Sequence, residues 1–254
     1  MKLDLQKASM LKRISAWLLD VIFLMILIVG AASLISAVTG YDAYTQQMED
    51  HYARYEKEFG VTFNITEEAY NAMTETERAN YDAAYDALIK DEEAIRCYNV
   101  IISLTMMMVS LSILIGYLVT EFAVPIFLKN GQTVGKKVFG LAVVRTNFVK
   151  MNNVSLFIRT VLGKYTLETM IPVLLVIMVL FGMSGLEGTL VIFAIGILQV
   201  VLMLVTKTNS AIHDKLADTV VVDLASQMIF NTEEDLLDYK KRMSAENAER
   251  SSYF

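Results

Sequence analysis

Four long apolar segments constrain this chain most, because a helix needs roughly 20 consecutive apolar residues to cross the hydrocarbon core of a bilayer. The segments are residues 14–38, 98–119, 171–183 and 188–206. The third reaches spanning length only if it extends back through Lys164 and Glu168, whose spacing would let them pair on one helix face. A short turn at residues 184–188 would make the last two segments a helical hairpin. The sequence therefore predicts an all-α membrane protein with about four transmembrane helices.

Composition agrees with a membrane protein and offers little for catalysis. Hydrophobic residues make up 55% of the chain, and the mean hydropathy is +0.45. The single cysteine, Cys97, cannot form an internal disulfide, and His51 and His213 lie too far apart in sequence to suggest a metal cluster. No nucleophile–base pair or cofactor fingerprint is present. We expect a protein that is not an enzyme, with no metal, no cofactor and no nucleic-acid partner.

The first apolar segment has a second interpretation, a cleaved signal peptide, because Ala31, Ala32 and Ala37 offer small residues for cleavage. Its apolar run is longer than the roughly 7–15 residues of a signal peptide, and it contains Asp20. We therefore expect residues 14–38 to remain as the first membrane helix.

Charge is sharply segregated along the chain and predicts its orientation. Residues 1–13 carry four basic side chains and one acid, residues 39–97 carry 14 acids and 5 bases, and residues 126–165 carry 7 bases and no acid. Loops rich in Lys and Arg stay in the cytoplasm. Both termini are thus predicted to be cytoplasmic in a multi-pass protein of the plasma membrane. The predicted order is the N-terminal segment and first helix (1–38), an acidic extracytoplasmic helical loop (39–97), the second helix (98–125), a basic cytoplasmic loop (126–160), the third and fourth helices (161–206) and a cytoplasmic segment with a tail helix (207–254).

The long external loop and the tail both have helical signals. Thr74 and Glu77 form a capping box, and seven tyrosines lie between positions 41 and 85. These rings either bind a partner or pack a small helical hairpin. In the tail, Thr232 can cap a helix, and the apolar stripe of Leu236, Leu237 and Met243 would contact the membrane surface or a protein partner.

The basic loop begins with Gly131, Gln132, Thr133, Gly135 and Lys136, which superficially resembles a phosphate-binding loop. Such a loop needs four residues before Gly-Lys and then Ser or Thr, and neither condition is met here. The β-branched run 138–145, followed by the turn residues 146–147, predicts a short hairpin. The seven bases of the loop would attract anionic lipids, at about 1 kcal/mol each, or serve a specific ligand.

Ionisable residues inside the apolar segments are the strongest functional signal. Asp20 lies seven residues after Arg13, on the same helix face and roughly 10 Å away along the axis. An aspartate at a helix centre costs about 2.5–3.5 kcal/mol on insertion scales. Asp20 is therefore either an ion or proton site or part of a structural ion pair between helices. Glu121 lies at the end of the second segment, where it faces Asp20 or sits at the membrane interface.

Several of these residues occur in the order typical of one family. They are Arg13 with Asp20, the Gly-Gln-Thr-x-Gly-Lys segment at 131–136, Arg159, and His213-Asp214 followed by Thr219 and Val221. In this the chain resembles the RDD family of bacterial membrane proteins, and the resemblance makes Asp214 the second aspartate of the family name. It departs from the family in the long insertion at 41–97 and in Asp218, where the family often has Gly.

The resemblance implies a charged core of poorly defined activity, and transport, including cation/proton exchange, has been suggested for the family. One hypothesis is a small transporter or ion-coupling subunit in which Asp20 binds a cation or proton, helped by Arg13 and Asp214. Because four helices are few for a pathway, this version needs a homo-oligomer. The alternative is a scaffold or accessory subunit that recruits partners through its external loop and tail.

Overall fold

The structure, a computed structural model, describes residues 4–180 and 185–252. From the N-terminus the chain forms α1 (Met10–Thr39), α2 (Tyr41–Phe59), α3 (Glu67–Ala72), α4 (Glu75–Leu88), α5 (Glu92–Leu128), α6 (Val134–Val138), β1 (Leu141–Arg145), α7 (Asn153–Val179), α8 (Leu186–Val205), α9 (Ile212–Leu216), β2 (Thr219–Asp223) and α10 (Glu233–Ser252). Within the described residues, α1, α5, α7 and α8 are long and apolar enough to cross a membrane. The four candidate spans are therefore confirmed. Residues 181–184, which end the third predicted segment and begin the predicted turn, lie outside the described residues.

The packing divides the chain into two compact units. The first, here called the terminal unit, consists of Met1–Ile28 and Ile113–Phe254. The second, the inserted unit, is Val29–Ser112.

The first half of α1 shows the burial pattern of a helix in lipid, with apolar side chains outside and a charge inside. Leu18 and Ile22 are 51% and 57% exposed, whereas Ala16 and Asp20 are buried. This reverses the pattern of a soluble protein, in which aspartate is rarely buried and leucine often is. The apolar face suits contact with lipid tails, and the charged face packs against protein.

Two membrane helices contain π-helical stretches at their charged regions, Leu118–Ala123 in α5 and Ile158–Met170 in α7. Lys164 and Glu168 both lie in the second of these stretches, and the predicted ion pair between them is not formed. Lys164 donates to Glu121, and Glu168 accepts from His213.

The strands form a two-stranded antiparallel sheet in the terminal unit. Val143 of β1 lies opposite Val221 of β2, although 78 positions separate them in the chain. The predicted hairpin is formed only in part: the chain turns after Arg145, and a single antiparallel bridge joins Val144 to Lys150. Pairing with β2 stabilises this valine-rich strand by burying apolar surface, because both residues of the pair Val144–Val220 are fully buried. The sheet thereby connects the basic loop to the segment after the fourth helix.

The inserted unit is helical, as expected for residues 39–97. Its core is formed by Met48, Leu88, Ala94 and Cys97, against which Tyr44, Tyr52, Tyr55 and Phe63 pack. The capping box of Thr74 and Glu77 is present at the start of α4. Some of the tyrosines thus pack the helices, as one of the two interpretations requires, while Tyr85 remains 51% exposed.

The tail helix α10 is anchored at its beginning. Thr232 caps it by accepting the Asp235 N–H at 3.1 Å, and Arg145 contacts Glu233 at 2.9 Å. Leu236 is buried against Val149 and Phe230. The predicted apolar stripe is therefore partly used within the protein, while Leu237 stays 53% exposed.

Candidate functional site

Asp20 connects α1 to the Gly-Gln-Thr-x-Gly-Lys segment, here called the motif segment (residues 131–136). Its Oδ2 accepts the Thr133 hydroxyl at 2.5 Å, and its Oδ1 accepts the Gly135 N–H at 2.7 Å. Lys136 Nζ lies 3.7 Å from Oδ2. Both carboxylate oxygens are thus bound by the motif segment, so the aspartate fixes that segment against the first helix.

The two glycines of the motif segment are required by close packing. A Cβ on Gly135 would overlap the carbonyl oxygen of Ala16 and lie 2.9 Å from the Asp20 carboxylate. Gly131 has φ +62°, and a Cβ there would lie 2.8 Å from the Val143 carbonyl oxygen. Both positions therefore exclude side chains, which explains the two glycines in physical terms.

Gln132 fixes the other end of the motif segment to the sheet. Its side chain is buried, and its Nε2 donates to the Leu141 carbonyl oxygen at 2.7 Å. The motif segment is therefore held between α1 and β1 by side-chain contacts at both ends.

Asp214 is fully buried and gathers two arginines from distant helices. Its Oδ1 accepts from Arg159 Nε and Nη2 at 3.1 and 2.9 Å, and Arg13 Nη2 lies 3.5 Å from Oδ2. Burial would raise the pKa of Asp214, but neighbouring His213, Arg159 and Arg13 hold that pKa well below its ordinary value. Asp214 therefore stays charged, and it joins α9 to α1 and α7.

Arg13 shares a helix face with Asp20 but contacts other residues. Its Nη1 donates to the carbonyl oxygens of Asn209 at 2.6 Å and Thr208 at 3.4 Å, and its Nη2 contacts Asp214. Residues seven apart share a helix face, but the long side chain of Arg13 reaches a different segment from the one that Asp20 contacts. The two residues therefore secure different segments to the same helix.

Glu121 occupies the centre of the site, where three basic side chains surround it. Lys164 Nζ bonds to Oε1, while Lys136 Nζ and Arg159 Nη1 each lie 3.7 Å from Oε2. Those two distances are too long for hydrogen bonds, and Oε2 is buried with no hydrogen-bond partner among the described residues. Burial lowers the pKa of Lys136 to about 8, even though Glu121 and Asp20 favour its charged form.

His213 connects α9 to α7 through Glu168. The Glu168 carboxylate accepts both the His213 backbone N–H and the ring Nδ1, each at 2.9 Å. Burial lowers the pKa of His213, so the ring is neutral at pH 7, and Nδ1–H is the natural donor to the carboxylate.

Together these residues form what we call the charge network: Arg13, Asp20, Glu121, Lys136, Arg159, Lys164, Glu168 and Asp214. With His213 neutral, four acidic and four basic side chains sum to zero. All except Asp214 line a cavity of about 360 Å³, together with Tyr117, Gln199 and apolar residues of α1. Such a balanced set meets the requirement that buried charges be paired.

All residues of the charge network lie within the range of the chain that one family's sequence model matches. The sequence model of the RDD family matches residues 7–218, which is most of the chain. The chain belongs to the RDD family. No curated protein and no solved structure matches it. For this RDD protein, the family assignment agrees with the four apolar helices and leaves the activity open.

The departure at Asp218 has a backbone explanation. Asp218 has φ +52°, a left-handed conformation that glycine adopts without strain and that aspartate tolerates better than most residues. Its Oδ1 accepts the Thr146 hydroxyl at 2.6 Å, and its carbonyl accepts the Thr146 N–H at 3.1 Å. The aspartate of this RDD protein thus keeps the turn that glycine would make and adds a side-chain contact.

The sequence identified most of the charge network, including Glu121 at its centre, and missed the roles of Lys164 and Glu168. Glu121, Arg159 and His213 were singled out with the motif segment, and the structure brings these three and Lys136 to one cavity. Lys164 and Glu168 were assigned to each other and are instead partners of Glu121 and His213. Their position next to an apolar segment could have marked both as members of a charge network, because an unpaired charge there is costly.

We expect Gly135→Ala to destabilise this RDD protein, because the added methyl cannot fit between Ala16 and Asp20. Overpacking of this kind costs about 1–3 kcal/mol. The melting temperature in detergent micelles should fall by several degrees. Gly196→Ala is the control, since a Cβ at that helical position meets nothing within 4 Å. Equal melting temperatures for the two variants would contradict the packing described here.

Proposed function

We propose that this RDD protein is a small transporter or ion-coupling subunit that exchanges a monovalent cation for a proton at the charge network. The observation that carries the proposal is Glu121 Oε2, a buried carboxylate oxygen without a hydrogen-bond partner among the described residues, at the wall of a charged cavity. Such an atom is costly unless something else occupies its coordination sphere, and a small cation would serve.

Charge balance explains why exchange is favoured over simple binding. The network sums to zero, so adding one cation leaves a net charge in a buried site, which is unfavourable. The loss of one proton restores neutrality. Lys136 is the group best suited to lose it, because burial lowers its pKa to about 8 and its Nζ lies 3.7 Å from Glu121 Oε2. In this scheme Glu121 binds the cation while Lys136 releases the proton.

Asp20 then takes a supporting role that differs from its role in the sequence hypothesis. Both of its oxygens accept hydrogen bonds from the motif segment, which leaves Glu121 as the better ligand. Arg13, Arg159 and Asp214 hold α1, α7 and α9 together around the cavity. The role assigned here is therefore non-enzymatic, and a homo-oligomer would supply the rest of a pathway.

The proposal includes the orientation predicted from charge, with both termini in the cytoplasm of a plasma membrane. The structure reduces the number of bases free to contact anionic lipid, because Lys136, Arg159 and Lys164 are committed to the network and Arg145 contacts Glu233. Lys129 and Lys137 remain exposed, each near an exposed apolar residue, Phe127 or Val138. Such pairs of basic and apolar side chains suit the boundary between lipid head groups and tails.

The scaffold hypothesis remains the second candidate. It is supported by the compactness of the inserted unit, which spans Val29–Ser112, and by the exposed face of the tail helix at Leu237. In that case the charge network would serve only to hold the helices together.

In proteoliposomes, a sodium or potassium gradient should drive proton movement through the wild-type protein, reported by an internal pH-sensitive dye. Glu121→Gln should slow this movement at least tenfold, a loss of about 1.4 kcal/mol or more in transition-state stabilisation. The wild-type rate should rise with pH toward about 8, because deprotonation of Lys136 favours cation uptake. Glu187→Gln, at the start of α8 and outside the network, is the matched control. Absence of cation-driven proton movement in the wild type, or equal rates for Glu121→Gln, would contradict exchange.

Cysteine labelling of intact cells tests the orientation. Starting from Cys97→Ala, Lys57→Cys in the inserted unit should react with a membrane-impermeant maleimide, and Lys240→Cys in the tail should react only after lysis. We expect this result because loops rich in Lys and Arg stay in the cytoplasm, which places the acidic inserted unit outside. The reverse labelling pattern would contradict the proposed topology.

A further inference from the structure

A second cavity lies entirely within the inserted unit, between α2, α4 and the start of α5. Its volume is about 620 Å³, within the roughly 300–1,000 Å³ typical of small-molecule pockets. Five aromatic side chains and one carboxylate are prominent in its lining, and we call it the aromatic cleft: Tyr52, Phe63, Tyr81, Tyr85, Tyr98 and Glu56.

The aromatic cleft has a fixed inner wall and an open rim. The ring of Phe63 lies 5.8 Å from that of Tyr52 and 5.9 Å from that of Tyr81, and the Tyr81 hydroxyl donates to the Phe63 carbonyl oxygen at 3.3 Å. At the rim, Tyr85 and Tyr98 are 51% and 44% exposed. The inner rings are therefore held by one another, while the rim rings can cover a ligand.

The cleft also has a negative electrostatic character. Glu56 Oε1 accepts the Phe63 N–H at 2.7 Å, which fixes the carboxylate in the cleft wall. No Lys or Arg is among the described residues that line the cleft. The surrounding sequence, residues 39–97, contains 14 acids and 5 bases. A ligand with a positive charge would therefore be attracted to this surface.

Aromatic faces in the same unit already hold cations. The guanidinium of Arg54 lies 4.8 Å from the ring centre of Tyr55, and that of Arg78 lies 5.2 Å from the ring centre of Tyr70. The negative face of an aromatic ring attracts a cation within about 6 Å, and quaternary ammonium groups are often bound by several such rings. The rim tyrosines of the cleft offer this surface without a cationic side chain of the cleft lining to occupy it.

We propose that the aromatic cleft binds an organic cation, an ammonium group carried on a small apolar body. Glu56 supplies the countercharge, Tyr85 and Tyr98 supply the ring faces, and the inner wall receives the apolar body. This site lies in the inserted unit and does not depend on the charge network.

Calorimetric titration of the full-length protein in detergent micelles tests the proposal, with choline as the cation and 3,3-dimethylbutan-1-ol as its neutral isostere. Choline should bind and the alcohol should bind at least several-fold more weakly. Glu56→Gln, which keeps the acceptor for the Phe63 N–H, should weaken choline binding, whereas Glu58→Gln on the same helix should leave it unchanged. Tyr85→Leu should weaken it by roughly 2- to 30-fold, and Tyr85→Phe, which keeps the ring, should retain most of it.

Each variant is compared at equal helix content and melting temperature, so that a loss of binding reports the site. Equal affinity for choline and the alcohol would overturn the proposal and make the cleft a general apolar surface. No choline binding by the wild-type protein, or an unchanged affinity in Glu56→Gln, would overturn it as well.

Discussion

The terminal unit depends on one contact, the carboxylate of Asp20 bound to the Thr133 hydroxyl and the Gly135 N–H. A charge buried in a membrane helix is tolerated only with good partners, and here the partners come from the motif segment, at the start of the short helix α6. The contact brings Lys136 to the cavity, where it faces Glu121. It also sets the packing that excludes a side chain at Gly135. A single aspartate thus fixes the motif segment beside the cavity that the charge network lines.

The sequence predicted those features of this arrangement that depend on residues close together in the chain. The four apolar segments were found because hydropathy over some 20 residues is a local property. The capping residues Thr74 and Thr232 were found for the same reason, since a cap depends on neighbours three residues away. Asp20 was recognised as unusual because an acid in an apolar run is visible without any knowledge of the fold.

The partners of these residues were not predictable from spacing. Arg13 lies on the same helix face as Asp20 but binds Asp214 and the residues before α9. The strand at Leu141–Arg145 pairs mainly with β2 and makes only a single bridge with the residues after its own turn. Lys164 and Glu168, both in the π-helical stretch Ile158–Met170, contact Glu121 and His213 and do not pair with each other. Four of the seven bases of the loop at 126–165 contact acids that lie on other segments: Lys136, Arg145, Arg159 and Lys164. Long-range pairing of this kind requires the fold.

We propose different chemistry for the two units: an inorganic cation and a proton at the charge network, and an organic cation at the aromatic cleft. Both assignments depend on buried or partly buried carboxylates, and the first depends on Asp20 holding the motif segment in place. A double-mutant cycle of Asp20→Asn and Thr133→Val, measured as free energies of unfolding in micelles, tests that contact most directly. We predict a coupling energy of about 0.5–3 kcal/mol, because the side chains of Asp20 and Thr133 are in direct contact. Additive effects, with no coupling beyond experimental error, would contradict it.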